Sequence, residues 1–395
     1  MDNRPNRLRS GIAGAITAVT YVFLVSTFVS IAVNSLALGL MALLWVLQMV
    51  LDRRARIRAT GLDYAFLAYL VVEALSTAFS VDPGQSLFFS RRILLIGIVY
   101  FFAEKLTTLS EAKRETLVLL GTGALVGLIG VIKLALGAPG ENTRLGIFQF
   151  YMTTSQLMTI ALLMLLPFVI HRRTPAKIRL AAGLALVPVA VSLYATVTRG
   201  AYLAAAAGII LIALVKNWKL LIPFALLVAG VILFAPPYVA GRLQSIVDVH
   251  HPENASRLQL WATGLRIYAD HPIVGVGDID LGRLLRQYAD PGYPGQWGHL
   301  HNVALQILVT LGALGAVAVL FLFVRIVIVE ARIYRRLKDD WFSGSFTLGA
   351  LAVFVGIQVN GLTEWSFGNQ AVVILLWITL GMTIAIGRIA GEGAP

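Results

Sequence analysis

The sequence predicts an all-α polytopic membrane protein, and three observations carry that class. Mean hydropathy is +0.81 and only 13% of residues are charged, where a soluble domain carries about 25%. Apolar runs approaching the roughly 20 residues that cross a hydrocarbon core as a helix recur along most of the chain. The Lys and Arg residues gather in the short stretches between those runs.

Twelve transmembrane helices are expected, near 11–33, 35–51, 62–79, 87–103, 115–136, 151–170, 180–198, 201–215, 220–235, 302–328, 343–362 and 371–387. The first run follows a basic N-terminus without a small-residue cleavage site, so it reads as a permanent span. The basic clusters at 52–60, 171–177 and 330–338 fall on one side in this count. Cytoplasmic loops are the Lys/Arg-rich ones, which places both termini in the cytoplasm. Segment 236–300 is the one long stretch on the outer side. It is short for an independent domain, so residues 1–395 read as a single membrane domain with this segment inserted between spans 9 and 10 as a cap. Its middle, "NASRLQLWATGLRIYADHP" (254–272), reads as a short amphipathic helix. Asn254 or Ser256 would cap it, Leu258, Trp261, Leu265 and Tyr268 would form its apolar stripe, and His271-Pro272 would end it.

Composition also excludes function classes. The net charge of +12 lies in inter-span loops and not along one soluble face, so nucleic acid is not an expected partner. The absence of cysteine rules out disulfides, thiolate metal sites and a cysteine nucleophile. No HExxH or comparable ligand cluster is present, so neither a metal nor another cofactor is expected. "PIVGVGDIDLG" (272–282) contains Gly-x-Gly without a strand–turn–helix context, so it is not read as a nucleotide loop.

The unusual residues gather toward the outer ends of the spans. Arg91 and Arg92 in "SLFFSRRILLIGIVYFFAEK" (86–105) leave too short an apolar run beyond them to span, so they lie within the membrane. There they face a cavity or snorkel to lipid phosphates. Lys133 reads as a snorkelling residue. Arg199 sits at a tight turn that Gly200 permits; its planar fork suits either lipid headgroups or a phosphate substrate. Arg257 and Arg266 share the amphipathic helix but point to opposite faces, so at most one faces a site beneath it. Arg257 is favoured and Arg266 held in reserve. Glu73 is an intramembrane carboxylate, a functional candidate unless it merely pairs with an arginine of the next span. His301 opens "HNVALQILVTLGALG" (301–315) where a span leaves the water. Neutral imidazole is a good general base, and the alternative is an interfacial histidine that caps the helix. Asn302 is placed to cap the span or hold a substrate hydroxyl. Gly312 and Gly315, three apart, would allow a close helix contact.

The stretch 301–315 resembles the His-Asn, nine residues, Gly-x-x-Gly pattern of bacterial O-antigen ligases and polymerases. "TRGAYLA" (198–204) is similar to the Ser/Thr-Arg-Gly turn of that superfamily, and "SRLQLWATGLRIYADHPIVGVG" (256–277) to its signature running into Pro-x-x-Gly-x-Gly. "FSVDPGQS" (79–86) fits the same family. The resemblance implies a membrane-embedded, GT-C-like glycosyltransferase of the bacterial inner membrane with a periplasmic active site and no metal. The implied donor is a glycan on undecaprenyl diphosphate. The implied acceptor is lipid A–core for a ligase or a second lipid-linked glycan for a polymerase. It further implies His301 as the base, with Arg199 and one of Arg257 or Arg266 on the diphosphate. The ligase is the preferred reading. A lipid-glycan flippase or other transporter is the alternative of a different class, although such proteins place substrate groups near the bilayer midplane.

Overall fold

The structure, a computed structural model, describes residues 4–52, 57–137, 144–290 and 297–392. Helix is the only regular structure among these residues. The elements are α1 (Arg4–Val29), α2 (Ile31–Leu51), α3 (Asp63–Ala78), α4 (Pro83–Ser90), α5 (Gly97–Lys105), α6 (Leu109–Ala135), α7 (Tyr151–Ile170) and α8 (Ala176–Ala195). They continue as α9 (Arg199–Lys216), α10 (Leu221–Phe234), α11 (Pro237–Gln244), α12 (Pro252–Asp270), α13 (Gly282–Tyr288), α14 (Val303–Leu337), α15 (Trp341–Asn360) and α16 (Gln370–Glu392).

Local chemistry sets several of these boundaries. Thr108 and Glu111 close a capping box at the start of α6, satisfying two otherwise orphaned N–H groups. Asp340 accepts the Ser343 N–H to begin α15. Asp82 accepts the Gln85 N–H, with Pro83 in the first helical position of α4, where proline costs no hydrogen bond.

Ten helices are long and apolar enough to cross a membrane among the described residues, and the chain is an all-α, multi-pass membrane protein. The other two expected spans are shorter. α3 has 16 residues, about 24 Å at 1.5 Å per residue. The ninth is an apolar helix over Trp218–Phe234 that opens with a 3-10 turn. α3 stops early because the chain beyond it turns to pair with another loop, through the Val81 N–H to the Val276 carbonyl at 3.1 Å. The fourth span is one apolar path over Pro83–Lys105, interrupted by a 3-10 stretch at Arg91–Ile96. The basic segment 330–338, expected as a loop, is instead helical to Leu337. Its Glu, Ala and Arg residues are good helix formers and carry α14 beyond the apolar run.

α7, α15 and α16 form the interior and are buried along most of their length. The alanine-rich stretch of α9 lets α15 approach closely: a Cβ on Gly356 would lie 2.8 Å from the Ala204 carbonyl oxygen, the small-residue contact typical of membrane helices. α2 and α10 lie at the periphery with most side chains exposed.

Between α10 and α14, helices α11, α12 and α13 build a cap. Leu260, Ile267, Val276, Leu284 and Leu300 pack there with Val309 of α14 into a small core of their own. α12 starts at Pro252, capped by His251, not at Asn254 or Ser256. The Asn254 amide instead donates to the Ser245 and Asp248 carbonyls. The buried stripe of α12 is Leu260, Thr263, Gly264 and Ile267. The expected stripe was out of phase, since Leu258 and Leu265 are about half exposed.

Candidate functional site

The start of α14 is tied to the segment that follows α15. Asn302 caps α14 by accepting the Leu305 N–H at 3.0 Å, and its amide donates to the Leu362 carbonyl at 3.0 Å. The Val303 N–H donates to the Gly361 carbonyl at 2.7 Å. Asn302 is thereby committed to backbone at both ends of its amide.

These bonds fix His301 against Glu364. His301 Nδ1 lies 3.1 Å from Glu364 Oε1, and Glu364 also accepts the Trp365 N–H at 3.0 Å. The imidazole is held by the edge-on Trp297 ring at 4.7 Å and by His299 at 4.1 Å. It is 5% exposed, and its Nε2 has no hydrogen-bond partner among the described residues. His301 is in the left-handed region at φ 48°, a conformation uncommon outside glycine. Burial would raise the Glu364 carboxyl, but the hydrogen bond and charge of His301 hold it below its ordinary value. Burial, with His301 beside it, pushes the His299 imidazole down to about 4.

A second group converges on the same place. Val197, also left-handed at φ 49°, turns the chain from α8 into α9. A β-branched residue rarely adopts that conformation, so strain is concentrated immediately before Arg199 as well as at His301. Arg199 is buried and donates to the Ser245 carbonyl at 2.7 Å, to Ser245 Oγ at 2.8 Å and to Glu253 Oε2 at 2.9 Å. Gly200 presses against the segment that carries Glu364: a Cβ there would lie 2.8 Å from Thr363 Oγ1 and 2.9 Å from Asn360 Oδ1. Glu253 also binds Arg242 at 2.8 Å and Arg144 at 3.4 Å. Burial would raise the Glu253 carboxyl; the guanidinium groups of Arg242, Arg199 and Arg144 overcome this and hold it at about 2.

Arg257, on the next turn of α12, lines this pocket and has no ion pair among the described residues. Four guanidinium groups (Arg144, Arg199, Arg242 and Arg257) thus face two carboxylates, Glu253 and Glu364. The pocket carries a surplus of two positive charges and contains the partner of His301. Such a pocket can accept an anion of higher charge than one carboxylate, next to a group able to take a proton.

The other expected residues lie elsewhere. Arg266 is on the far side of α12, paired with Asp290 at 2.9 and 3.0 Å. Arg92 pairs with Asp278 at 3.4 Å, and both line a separate cavity with the buried Glu73. Among the described residues Glu73 makes no ion pair with an arginine, contrary to the alternative raised for it, and its Oε1 has no hydrogen-bond partner. Burial pushes the Asp278 carboxyl up, against the nearby Arg92. Arg91 is exposed, with its guanidinium 3.8 Å from the centre of the Phe88 ring. Lys133 does not snorkel: its ammonium donates to the Gly146 and Ile147 carbonyls at 2.9 and 3.2 Å.

The glycine pair of α14 also acts differently from expectation. Gly312 breaks the helix at φ 66°, ψ −167°, a region essentially reserved for glycine. The loop Pro272–Gly277 docks into the break, with the Ala313 and Leu314 N–H groups donating to the Pro272 and Ile273 carbonyls. The Val276 and Gly277 N–H groups in turn donate to Val309 and Thr310. Gly312 and Gly315 therefore do not present one face to a neighbouring helix; the closest approach at Gly312 is loop backbone. The 79–86 segment supports that loop, with Ser80 Oγ donating to the Val276 carbonyl at 2.8 Å and Ser86 Oγ accepting the Asp278 N–H at 3.1 Å.

Sequence reasoning did not single out Glu364, Glu253, Arg144, Arg242 or His299. Glu364 stands alone in a short loop, "GLTEWSFGN" (361–369), and its one visible signal was an acid between two spans on the side of His301. The conclusion that no metal-ligand cluster exists was also local to the sequence. The fold brings His299, His301 and Glu364 together with ligand atoms within 4.8 Å of one another.

No curated protein matches the sequence. A solved structure described as "Structural coordination of polymerization and crosslinking by a peptidoglycan synthase complex" aligns with TM-score 0.45 and 20% identity, over 83% of this chain and 97% of that one. That likeness assigns neither fold nor activity. Residues 184–320 match the family model described as O-antigen ligase, a stretch that holds Arg199, Arg257 and His301 and ends just past Gly315. Over that stretch, about a third of the chain, the sequence is similar to the O-antigen ligase family.

Proposed function

We propose that the protein is an O-antigen ligase, which transfers a glycan from undecaprenyl diphosphate to a sugar hydroxyl of lipid A–core on the periplasmic face of the inner membrane. One observation carries the reading: Glu364 both binds His301 and lines the pocket of four arginines. A proton acceptor and an anion site therefore adjoin, as transfer from a diphosphate donor requires.

In this reading His301 Nδ1–H points at Glu364, which leaves Nε2 to take the proton of the acceptor hydroxyl. The hydroxyl oxygen attacks the anomeric carbon from the side opposite the diphosphate. The bond from that carbon to the phosphate oxygen breaks, configuration inverts, and the electron pair leaves on the diphosphate. Arg199 and Arg257 stabilise the charge that grows there, which removes the need for a metal. Glu253 holds Arg144, Arg199 and Arg242 in place before the donor arrives. Arg266, Arg91 and Arg92 take no part at the diphosphate in this arrangement. The test is transfer by purified protein with a chelator present. Product on lipid A–core supports the ligase, whereas glycan lengthening on the undecaprenyl carrier assigns a polymerase.

A further inference from the structure

We infer that His299, His301 and Glu364 form a Zn²⁺ site, and that an ion bound there inhibits transfer by occupying His301. The binding stands on geometry alone; the inhibition rests on His301 being the base. Ligand atoms of the three side chains lie within 4.8 Å of one another. The 3.1 Å between His301 Nδ1 and Glu364 Oε1 approaches the roughly 3.3–3.6 Å that separates two ligands of a tetrahedral ion with bonds of about 2.0–2.2 Å.

A second observation leaves the other ring nitrogen of His301, on the side away from Glu364, open as an alternative ligand atom of the same cluster. His301 is 5% exposed, and its Nε2 has no hydrogen-bond partner among the described residues. The other buried histidine, His171, uses both ring nitrogens, on the Lys338 carbonyl and the Arg173 N–H. Among the described residues His299 uses only Nδ1, as acceptor for the His301 N–H at 3.3 Å. Two imidazoles and one carboxylate with an open fourth position suit Zn²⁺, while Mg²⁺ and Ca²⁺ prefer all-oxygen sets. Either mode of ligation disables His301. An ion on Nε2 blocks it directly; an ion on Nδ1 forces the remaining ring proton onto Nε2, which then donates and cannot accept.

The test is calorimetric titration of Zn²⁺ into chelator-treated, full-length protein in detergent. One ion per chain is expected, with affinity at least about 10-fold weaker in His299→Ala and Glu364→Gln, since losing a ligand costs no less than losing a group that supports one, and unchanged in the surface control His250→Ala. His299→Asn and thermal unfolding without Zn²⁺ guard against misfolding. No saturable binding, or both variants binding as tightly as the parent, would overturn the site. Transfer assays then separate the two claims. Zn²⁺ inhibition reversed by chelator supports both. Transfer that proceeds in chelator from a protein that binds no Zn²⁺ removes this inference and leaves the ligase reading intact. Transfer that requires Zn²⁺ overturns the inhibitory role and the metal-free mechanism together.

Discussion

His301 Nδ1 and Glu364 Oε1 stand 3.1 Å apart although 63 residues separate them in the chain. The contact exists because Asn302 and Val303 tie the start of α14 to Leu362 and Gly361. Its polarity matters: a carboxylate on Nδ1 selects the tautomer that leaves Nε2 as the acceptor.

Glu364→Gln is therefore expected to lower kcat by about 10²-fold or more with KM little changed, since Glu364 acts through His301. Glu364→Asp should recover part of the loss. Steady-state kinetics on both variants, with unfolding curves to exclude misfolding, checks this. A change in KM alone would place Glu364 in binding and not in positioning.

Arg257 and Arg266 separate cleanly. Arg257 lines the pocket, while Arg266 is 42% exposed and paired with Asp290. Arg257→Ala should cost about 10²–10³-fold in kcat, the scale of losing one donor to developing charge. Arg266→Ala should stay within about twofold, as removal of an exposed ion pair does. Equal losses in the two variants would refute the assignment.

Glu253 supplies a pH dependence with a definite sign. Its carboxyl is held at about 2, against an ordinary 4.5, so the folded state takes up its proton later than the unfolded chain. Its contribution to stability is complete above pH 4.5 and declines as pH falls toward 2. Thermal unfolding from pH 6 to 2 should show a loss in the parent that Glu253→Gln lacks. The same variant frees three arginines and should bind inorganic pyrophosphate more tightly than the parent. Weaker binding would mean that Glu253 is needed to shape the pocket.

Gly312→Ala should destabilise the protein severely, by about 3 kcal/mol or more. Backbone strain alone is worth about 1–3 kcal/mol, and the added Cβ would overlap the Ile273 carbonyl oxygen. Gly315→Ala would meet Leu311 Cβ, which no rotamer moves, so it should destabilise too, but by less because Gly315 lacks the positive φ of Gly312. Unfolding in detergent ranks the two.

The spans were legible because apolar length is a property of local sequence: each of the twelve expected runs coincides with helix, even where α3 proves too short to cross alone. Arg199, Arg257 and His301 were legible because each sits at a turn, a helix or a span end with its own local signature. What binds them was not. Glu364 and Glu253 acquire their roles only through partners 63 and 54 residues away, and an isolated acid in a short loop carries no period or spacing. The stripe of α12 was misjudged for a related reason. Leu258 and Leu265 fit helical spacing as well as Leu260 and Ile267 do, and only the docking of α12 on α14 chooses between the faces. Gly312 was read as a helix contact because the uncharged run 303–324 conceals a break that depends on the Pro272–Gly277 loop.

The central claim is tested most directly by one measurement. Purified protein is mixed with undecaprenyl-diphosphate-linked glycan and lipid A–core in chelator, and the joined lipid is followed on a gel for the parent and for His301→Ala. Product from the parent and none from a folded His301→Ala is the expected result. Full transfer by a well-folded His301→Ala protein would contradict the account.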